Sequence, residues 1–295
     1  MSVHLAEICK VDEPEAIVEY LTQLCPARAA IADVSVAVDE EQAIEDSFCL
    51  AANISNKAHR SLYHSFNGVW SFTDADGRTA VHWAVAMKNF SLASRLMGEP
   101  FYALVDSVDH DGVTPFLTAC MVGAPKEFLT NLLTNMAEQR RWRIAYETFR
   151  SGGDVEPIKN AEVSLAEYRL EIINQPDSNG NTSLLHGASR GKLPIVVFLL
   201  QAGASIDHTN NRGQSALHRA TGRGSVEVVE ELVSFSKRKH EPAHHSRWMN
   251  IQDYRGDTAL FYASMDDNEE LGRYLLRQGA RRDIRNKDGK EFWEV

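Results

Sequence analysis

Apolar residues along this chain fall into short runs at helical spacing, broken at regular intervals by Gly, Asp and Asn. The pattern is clearest between residues 177 and 233. Leu184 and Leu185 open one run, and Val196, Val197, Leu199 and Leu200 form a second, with repeats of three and four that suit one face of a helix. A similar pair follows, closing on Val228, Val229 and Leu232. Thr182 and Ser215 stand 33 residues apart in matching surroundings. Each has a Gly two residues before it, a Leu two after it and a second Gly nine after it. The residue types suggest the geometry. Gly180 and Gly213 allow a tight hairpin tip, and the hydroxyl caps the helix that follows. Small residues (Gly187, Ala188, Ala220) let that helix pack closely, and Gly191 and Gly224 end it in the left-handed conformation. A second helix then supplies the apolar wall.

A 33-residue period of this form is the signature of ankyrin repeats. The expected fold is an all-α ankyrin-repeat solenoid of helix pairs with β-hairpin loops, with about six to seven repeats including degenerate caps. Residues 1–45 form an acidic segment with a helix pair near its start, the second helix entered at Pro14. Residues 26–39 read as a connector or weak strand. Residues 46–133 hold a degenerate first repeat and two fuller ones, around Thr79 and Thr114. From Thr114 to Thr182 the spacing is 68, and residues 134–174 read as a helical insertion. It consists of an extended outer helix through Phe149, a break at Ser151-Gly152-Gly153 and a helix near Val163 to Ile173. Residues 175–295 return to the repeat, with a partial C-terminal cap. The spacing from Ser215 to Thr258 grows to 43, which places residues 236–247 in a polar loop.

Composition narrows the function. A hydrophobic share of 43% suits a soluble chain. No run approaches the roughly 20 apolar residues that cross a bilayer, and the start lacks signal-peptide form. The four cysteines are scattered, which suggests reduced packing residues in the cytoplasm or nucleus. Net charge is −10, yet residues 1–46 alone carry eleven acids against Lys10 and Arg28. Global acidity argues against nucleic acid as the main partner. The remaining chain, close to neutral, is left able to bind an acidic protein.

The surface expected to do so lies on the first helices and the hairpins. The fourth and eighth residues after each Thr or Ser share a helix face. They include Trp83, Met87, His186, Arg190, Arg219, Arg223 and Tyr262, while hairpins add Arg78, Arg212 and Arg255. Trp, Tyr and Arg dominate binding hot spots. His82 and His218 occupy the repeat's own histidine position and bond backbone at the hairpin. Weaker groupings are His240, His244 and His245, read as a loop cluster rather than metal ligands, and two short basic runs read as solvated surface. These are Lys237 to Lys239, and Arg140-Arg141 with Arg143. Nothing has the form of a phosphate loop, a nucleophile elbow or paired catalytic acids. A non-catalytic monomer without cofactor or metal is expected.

Three stretches carry a more specific resemblance: SFTDADGRTAVHWAV, SALHRATGRG and NIQDYRGDTALFYA. In composition and order they resemble the gankyrin-type ankyrin-repeat chaperones of 26S proteasome assembly, over roughly residues 47–133 and 175–293. The resemblance implies that the concave face binds the acidic C-terminal domain of a regulatory-particle ATPase and delays its docking on the proteolytic core. Arg78 and Arg190 match the family's basic contact positions. The acidic N-terminal region and the 134–174 insertion have no family counterpart. Where some members carry L-x-C-x-E, residues 262–266 read YASMD, so retinoblastoma-pocket binding is not implied. The other reading is an ankyrin adaptor for an unrelated partner, such as a kinase or transcription regulator.

Overall fold

The computed structural model describes residues 2–10, 12–24, 72–98, 101–153 and 161–295. The segment 26–39, the degenerate repeat expected around residues 46–71, and Cys25 and Cys49 lie outside the described residues. Contacts divide the chain into two units, Met1–Ile172 and Ile173–Val295.

Unit 1 begins with α1 (Ser2–Ile8) and α2 (Pro14–Leu24). Two helix pairs follow, α3 (Ala80–Ala86) with α4 (Phe90–Met97), and α5 (Pro115–Val122) with α6 (Lys126–Arg150). In each pair the first member is the inner helix and the second the outer one. The N-terminal pair packs as a repeat would, α1 against the inner helix α3 and α2 against the outer helix α4. Polar bonds fix the register. The Asn89 amide donates to the Cys9 carbonyl at 3.3 Å, and Ser91 Oγ donates to the Asp12 carboxylate at 2.9 Å. Arg95 Nη1 reaches the Asp12 carbonyl at 2.9 Å. Burial pushes the Cys9 thiol up to about 12, so it packs as an apolar group.

The outer helix α6 runs on to Arg150, Gly152 breaks the chain at φ +79°, and α7 (Ala161–Asn174) crosses into unit 2. The basic run on α6 corrects the sequence expectation. Arg140 grips the buried Asp106 carboxylate through Nε at 3.1 Å and Nη2 at 2.7 Å, and Arg143 Nη2 takes the second oxygen at 2.7 Å. Arg141 is buried against Glu138. Gln139 accepts the Val105 and Asp106 amides and donates to the Ala103 carbonyl. These side chains clamp the segment 103–106 to the lengthened helix. They are structural rather than solvated.

Unit 2 stacks α8 (Ser183–Ser189) and α9 (Leu193–Gln201) on α10 (Ala216–Thr221) and α11 (Val226–Lys239). Next come α12 (Pro242–Met249), the pair α13 (Ala259–Met265) and α14 (Glu269–Gln278), and a 3-10 turn at Phe292–Glu294. The expected polar loop at 236–247 is helical. Outer helix α11 continues to Lys239 and α12 starts at Pro242. One side chain missed in the sequence explains this: Trp248 is buried, with Nε1 donating to the Ile206 carbonyl at 2.9 Å. His245 Nδ1 bonds Ser236 Oγ at 2.9 Å, and the His240 and His244 rings stack with centroids 4.2 Å apart. Among the described residues no group of His, Cys, Asp and Glu is arranged to hold a metal. No helix among them is long and apolar enough to cross a membrane.

Each hairpin is folded by one buried side chain. Asp74 Oδ1 accepts the amides of Asp76 and Arg78, both at 2.9 Å. The same two bonds recur at Asp109, Asp177, Asn210, Asp253 and Asn286. Within each unit successive hairpins bond to one another, as when the Tyr254 amide donates to the Arg212 carbonyl at 2.9 Å. That spacing leaves no room above the tip glycine. A Cβ on Gly213, already at φ +75°, would lie 2.8 Å from the Tyr254 ring and 3.0 Å from its amide. The hairpins are turns joined by single bonds, with one isolated bridge between Thr209 and Ser215 and no longer strand among the described residues.

The repeat histidines tie each inner helix to the following hairpin. His82 Nδ1 accepts the Thr79 amide at 3.1 Å, and Nε2 donates to the Val113 carbonyl at 3.1 Å. His218 repeats this with Ser215 and the Asp257 carbonyl. Burial lowers the pKa of His82 to about 4 and that of His218 in the same direction. Both rings are therefore neutral at pH 7, as their bonds require.

Two outcomes follow for stability. An unfolded His82 titrates at about 6.5, so between that value and about 4 the unfolded chain binds more protons. Stability then falls as pH drops through this window and levels off below it, with His82 accounting for about 3 kcal/mol. Denaturant midpoints of the parent and His82→Asn across the window check this; parallel curves for the two proteins contradict it. Trp248→Ala is expected to cost about 3–5 kcal/mol, measured by urea unfolding, because it empties a core position and orphans a carbonyl. A polar loop at 236–247 would predict almost no change.

Candidate functional site: the inner-helix faces

The hairpin carboxylates have a second oxygen, and its use determines what the inner face presents. Asp74 Oδ2 accepts from Trp83 Nε1 at 2.8 Å. Asp177 Oδ2 pairs with His186 Nε2 at 2.8 Å, and Asp253 Oδ2 accepts from the Tyr262 hydroxyl at 2.8 Å. In all three cases the partner stands nine residues after the carboxylate, on the fourth position of the inner helix. These large rings are half-buried struts. They hold the helix to its hairpin, and each shows one flank to solvent.

In unit 1, Arg78 is also committed. Its Nε donates to Asp109 at 3.1 Å, and its guanidinium lies 5.0 Å from the centre of the Trp83 ring. The Asp109 side chain is only 2% exposed, so this pair links two successive hairpins. Met87 follows as the C-cap of α3, half-buried. The Arg78 and Trp83 pair thus shows an aromatic and cationic surface that is already internally bonded.

In unit 2 the bonds form a chain across three repeats. Tyr262 OH accepts from Gln214 Nε2 at 2.6 Å while donating to Asp253. Burial pushes its phenol pKa up to about 12, which keeps the donor proton in place. Gln214 Oε1 in turn accepts from Asn210 at 3.2 Å and from Arg219 Nη1 at 3.4 Å. Asn210 Nδ2 also reaches Asn181 Oδ1 at 2.9 Å, and Asn181 bonds Asp177. At the far end, burial lowers the pKa of His186 despite the neighbouring Asp177. The neutral ring donates a hydrogen bond from Nε2 to Asp177 and accepts one at Nδ1 from Arg190 Nη1, 3.1 Å away.

Arg190, Arg212, Arg223 and Arg255 are exposed, and none has a carboxylate partner among the described residues. Arg219 is half-buried, with Nε unpartnered. Arg219 and Arg223 border a cavity of about 360 Å³ with Ser189, His218, Gly222, Tyr262, Met265 and Asp266. The structure therefore sorts the candidate residues into two groups. Trp83, His186, Tyr262 and Arg78 build the face, whereas Arg190, Arg212, Arg223 and Arg255 offer free donors from it. Gln214, Asn181 and Asn210 were missed in the sequence, because their role depends on partners 29 to 48 residues away. The one local signal was an Asp nine residues before an aromatic ring.

Comparison with known proteins bears on the fold. A family model described as ankyrin repeats (3 copies) matches residues 184–288. The ankyrin-repeat domain of Bcl-3, at 20% identity, superposes with a TM-score of 0.55 over 84% of this chain and 91% of that one. The probable 26S proteasome regulatory subunit p28 of Saccharomyces cerevisiae is 26% identical over 239 residues. That alignment takes in 80% of this chain and 86% of the yeast protein. The human transient receptor potential channel A1 is 29% identical over 132 residues, only 11% of its length. The bonded hairpins, the inner and outer helices and these likenesses agree on the fold, an all-α ankyrin-repeat solenoid of stacked helix pairs.

Proposed function

We propose that the chain is a non-catalytic scaffold acting in proteasome assembly, where it holds the acidic C-terminal domain of a regulatory-particle ATPase against its inner-helix faces. The observation that carries this reading is the likeness to the yeast regulatory subunit p28, which runs through most of both proteins. Site chemistry supports it. Exposed arginines stand on a pre-bonded framework, so little side-chain entropy remains to be lost when carboxylates arrive. Arginine forks suit carboxylates in paired bonds. A partner held there would be kept from the proteolytic core until released, in the cytoplasm and nucleus where proteasomes form.

The structure also decides which variant tests the idea. Reversing Arg78 would strand the buried Asp109, so a loss of binding there would mix folding with recognition. Arg190 and Arg223 are exposed and free of such duties. Arg190→Glu with Arg223→Glu is expected to abolish co-purification of the ATPase, a loss of several kcal/mol, with helical circular dichroism unchanged. Undiminished co-purification rejects this face. Partners that include no proteasome subunit would turn the reading to an adaptor for an unrelated protein.

A further inference from the structure

The extra residues between Ser215 and Thr258 lengthen the repeat spacing to 43, and a surface loop would accommodate them at little cost. They are folded instead. Outer helix α11 extends to Lys239, and α12 is held in place by the buried Trp248. Asn250, just after α12, donates to the Gly279 carbonyl at 3.2 Å and accepts the Arg281 amide at 2.8 Å. Lys237 Nζ bonds Gln278 Oε1. These links bring residues 236–247 and 277–285 to one edge, at the C-terminal ends of the outer helices. Together the two segments carry eight Lys and Arg against two acids, on a chain whose net charge is −10.

Some of those cations are paired, Arg238 with Glu231, Arg281 with Asp283 and Arg285 with Glu291. Lys239, Arg247, Arg277 and Arg282 are exposed and have no carboxylate partner among the described residues, and Lys237 meets only a neutral amide. Helix-dipole complementarity explains a cation in the last turn of α11, α12 or α14, Arg247 among them. It does not explain Arg282, nor a rigidly anchored insertion whose Lys237, Arg238, Lys239 and Arg247 outnumber its one acid, Glu241.

We propose that this edge is a second protein-binding surface, separate from the inner-helix faces, and that it takes a carboxylate-rich segment of another protein. Ionic screening over about 8 Å makes local charge decisive for a short acidic peptide that lies within the patch. A nucleic-acid duplex or an anionic membrane extends beyond the patch and meets the acidic remainder of the chain. Arginine forks also match carboxylate geometry. A scaffold with both surfaces holds two acidic partners at once.

The test uses the full chain and a fluorescein-labelled octaglutamate peptide, read by fluorescence anisotropy at physiological ionic strength. Arg247→Glu with Arg282→Glu is expected to weaken peptide binding by about tenfold or more, as for other charge pairs at interfaces. The inner-face variant Arg190→Glu with Arg223→Glu runs in parallel: a larger loss there than at the edge seats the peptide on the inner face and overturns the proposal, while ATPase co-purification tests the assembly role on its own. Because both edge residues are exposed, an unchanged thermal melt is expected, and Arg247→Gln with Arg282→Gln should give an intermediate loss. No binding by the parent protein overturns the proposal, as does equal binding by the edge variant. Tighter binding of duplex DNA or phosphatidylserine vesicles than of the peptide overturns it too.

Discussion

A buried carboxylate with two working oxygens is the constraint on which the rest of this structure depends. One oxygen of Asp74, Asp177 or Asp253 folds its hairpin by accepting two amides of the same loop. The other reaches a ring on the inner helix that follows. A buried charge of this kind is tolerable only when its acceptor capacity is filled, and here the loop and the helix fill it jointly. Hairpin and helix therefore form one rigid body. Where the position is Asn, at Asn210 and Asn286, the loop bonds survive, and the amide group bonds a neighbouring hairpin side chain, Asn181 or Asp257.

That arrangement changes what the proposed binding face offers. Trp, His and Tyr on an inner helix would be expected to wait for a partner, yet each is already engaged. What they give a partner is position. His186 is the clearest instance: kept neutral by burial, it links Asp177 to Arg190 and so aims an exposed guanidinium. The polar network across Gln214, Asn210 and Asn181 does the same for three repeats as a set. Such networks rigidify when they are satisfied throughout.

The departures from the repeat are equally physical. Helices α1 and α2 pack on α3 and α4 as a preceding repeat would, with Asp12 bonding both Ser91 and Arg95. The lengthened α6 uses its arginines inwardly, on Asp106, and the added α12 is locked by Trp248. Each insertion is secured by a few buried side chains that lack the repeat's period.

Fold class was legible in the sequence because the repeat is local. Gly180 and Gly213 at the tips, Thr79, Thr114 and Ser215 as caps, and Gly191 and Gly224 at the helix ends each act within a few residues of themselves. The 33-residue spacing then displays them in register. Helical spacing put the fourth positions, Trp83, His186, Arg219 and Tyr262, on the inner helices, whereas the eighth, Met87, Arg190 and Arg223, fall at or beyond the helix ends. Which of them are bonded and which are free was not legible. It turns on contacts such as Arg78 with Asp109 and Gln214 with Tyr262, 31 and 48 residues apart. Nor could the sequence distinguish Arg140 and Arg143 from a solvated basic run, or residues 236–247 from a loop. Their conformation depends on Asp106 and on the Ile206 carbonyl, which only the folded chain brings within reach.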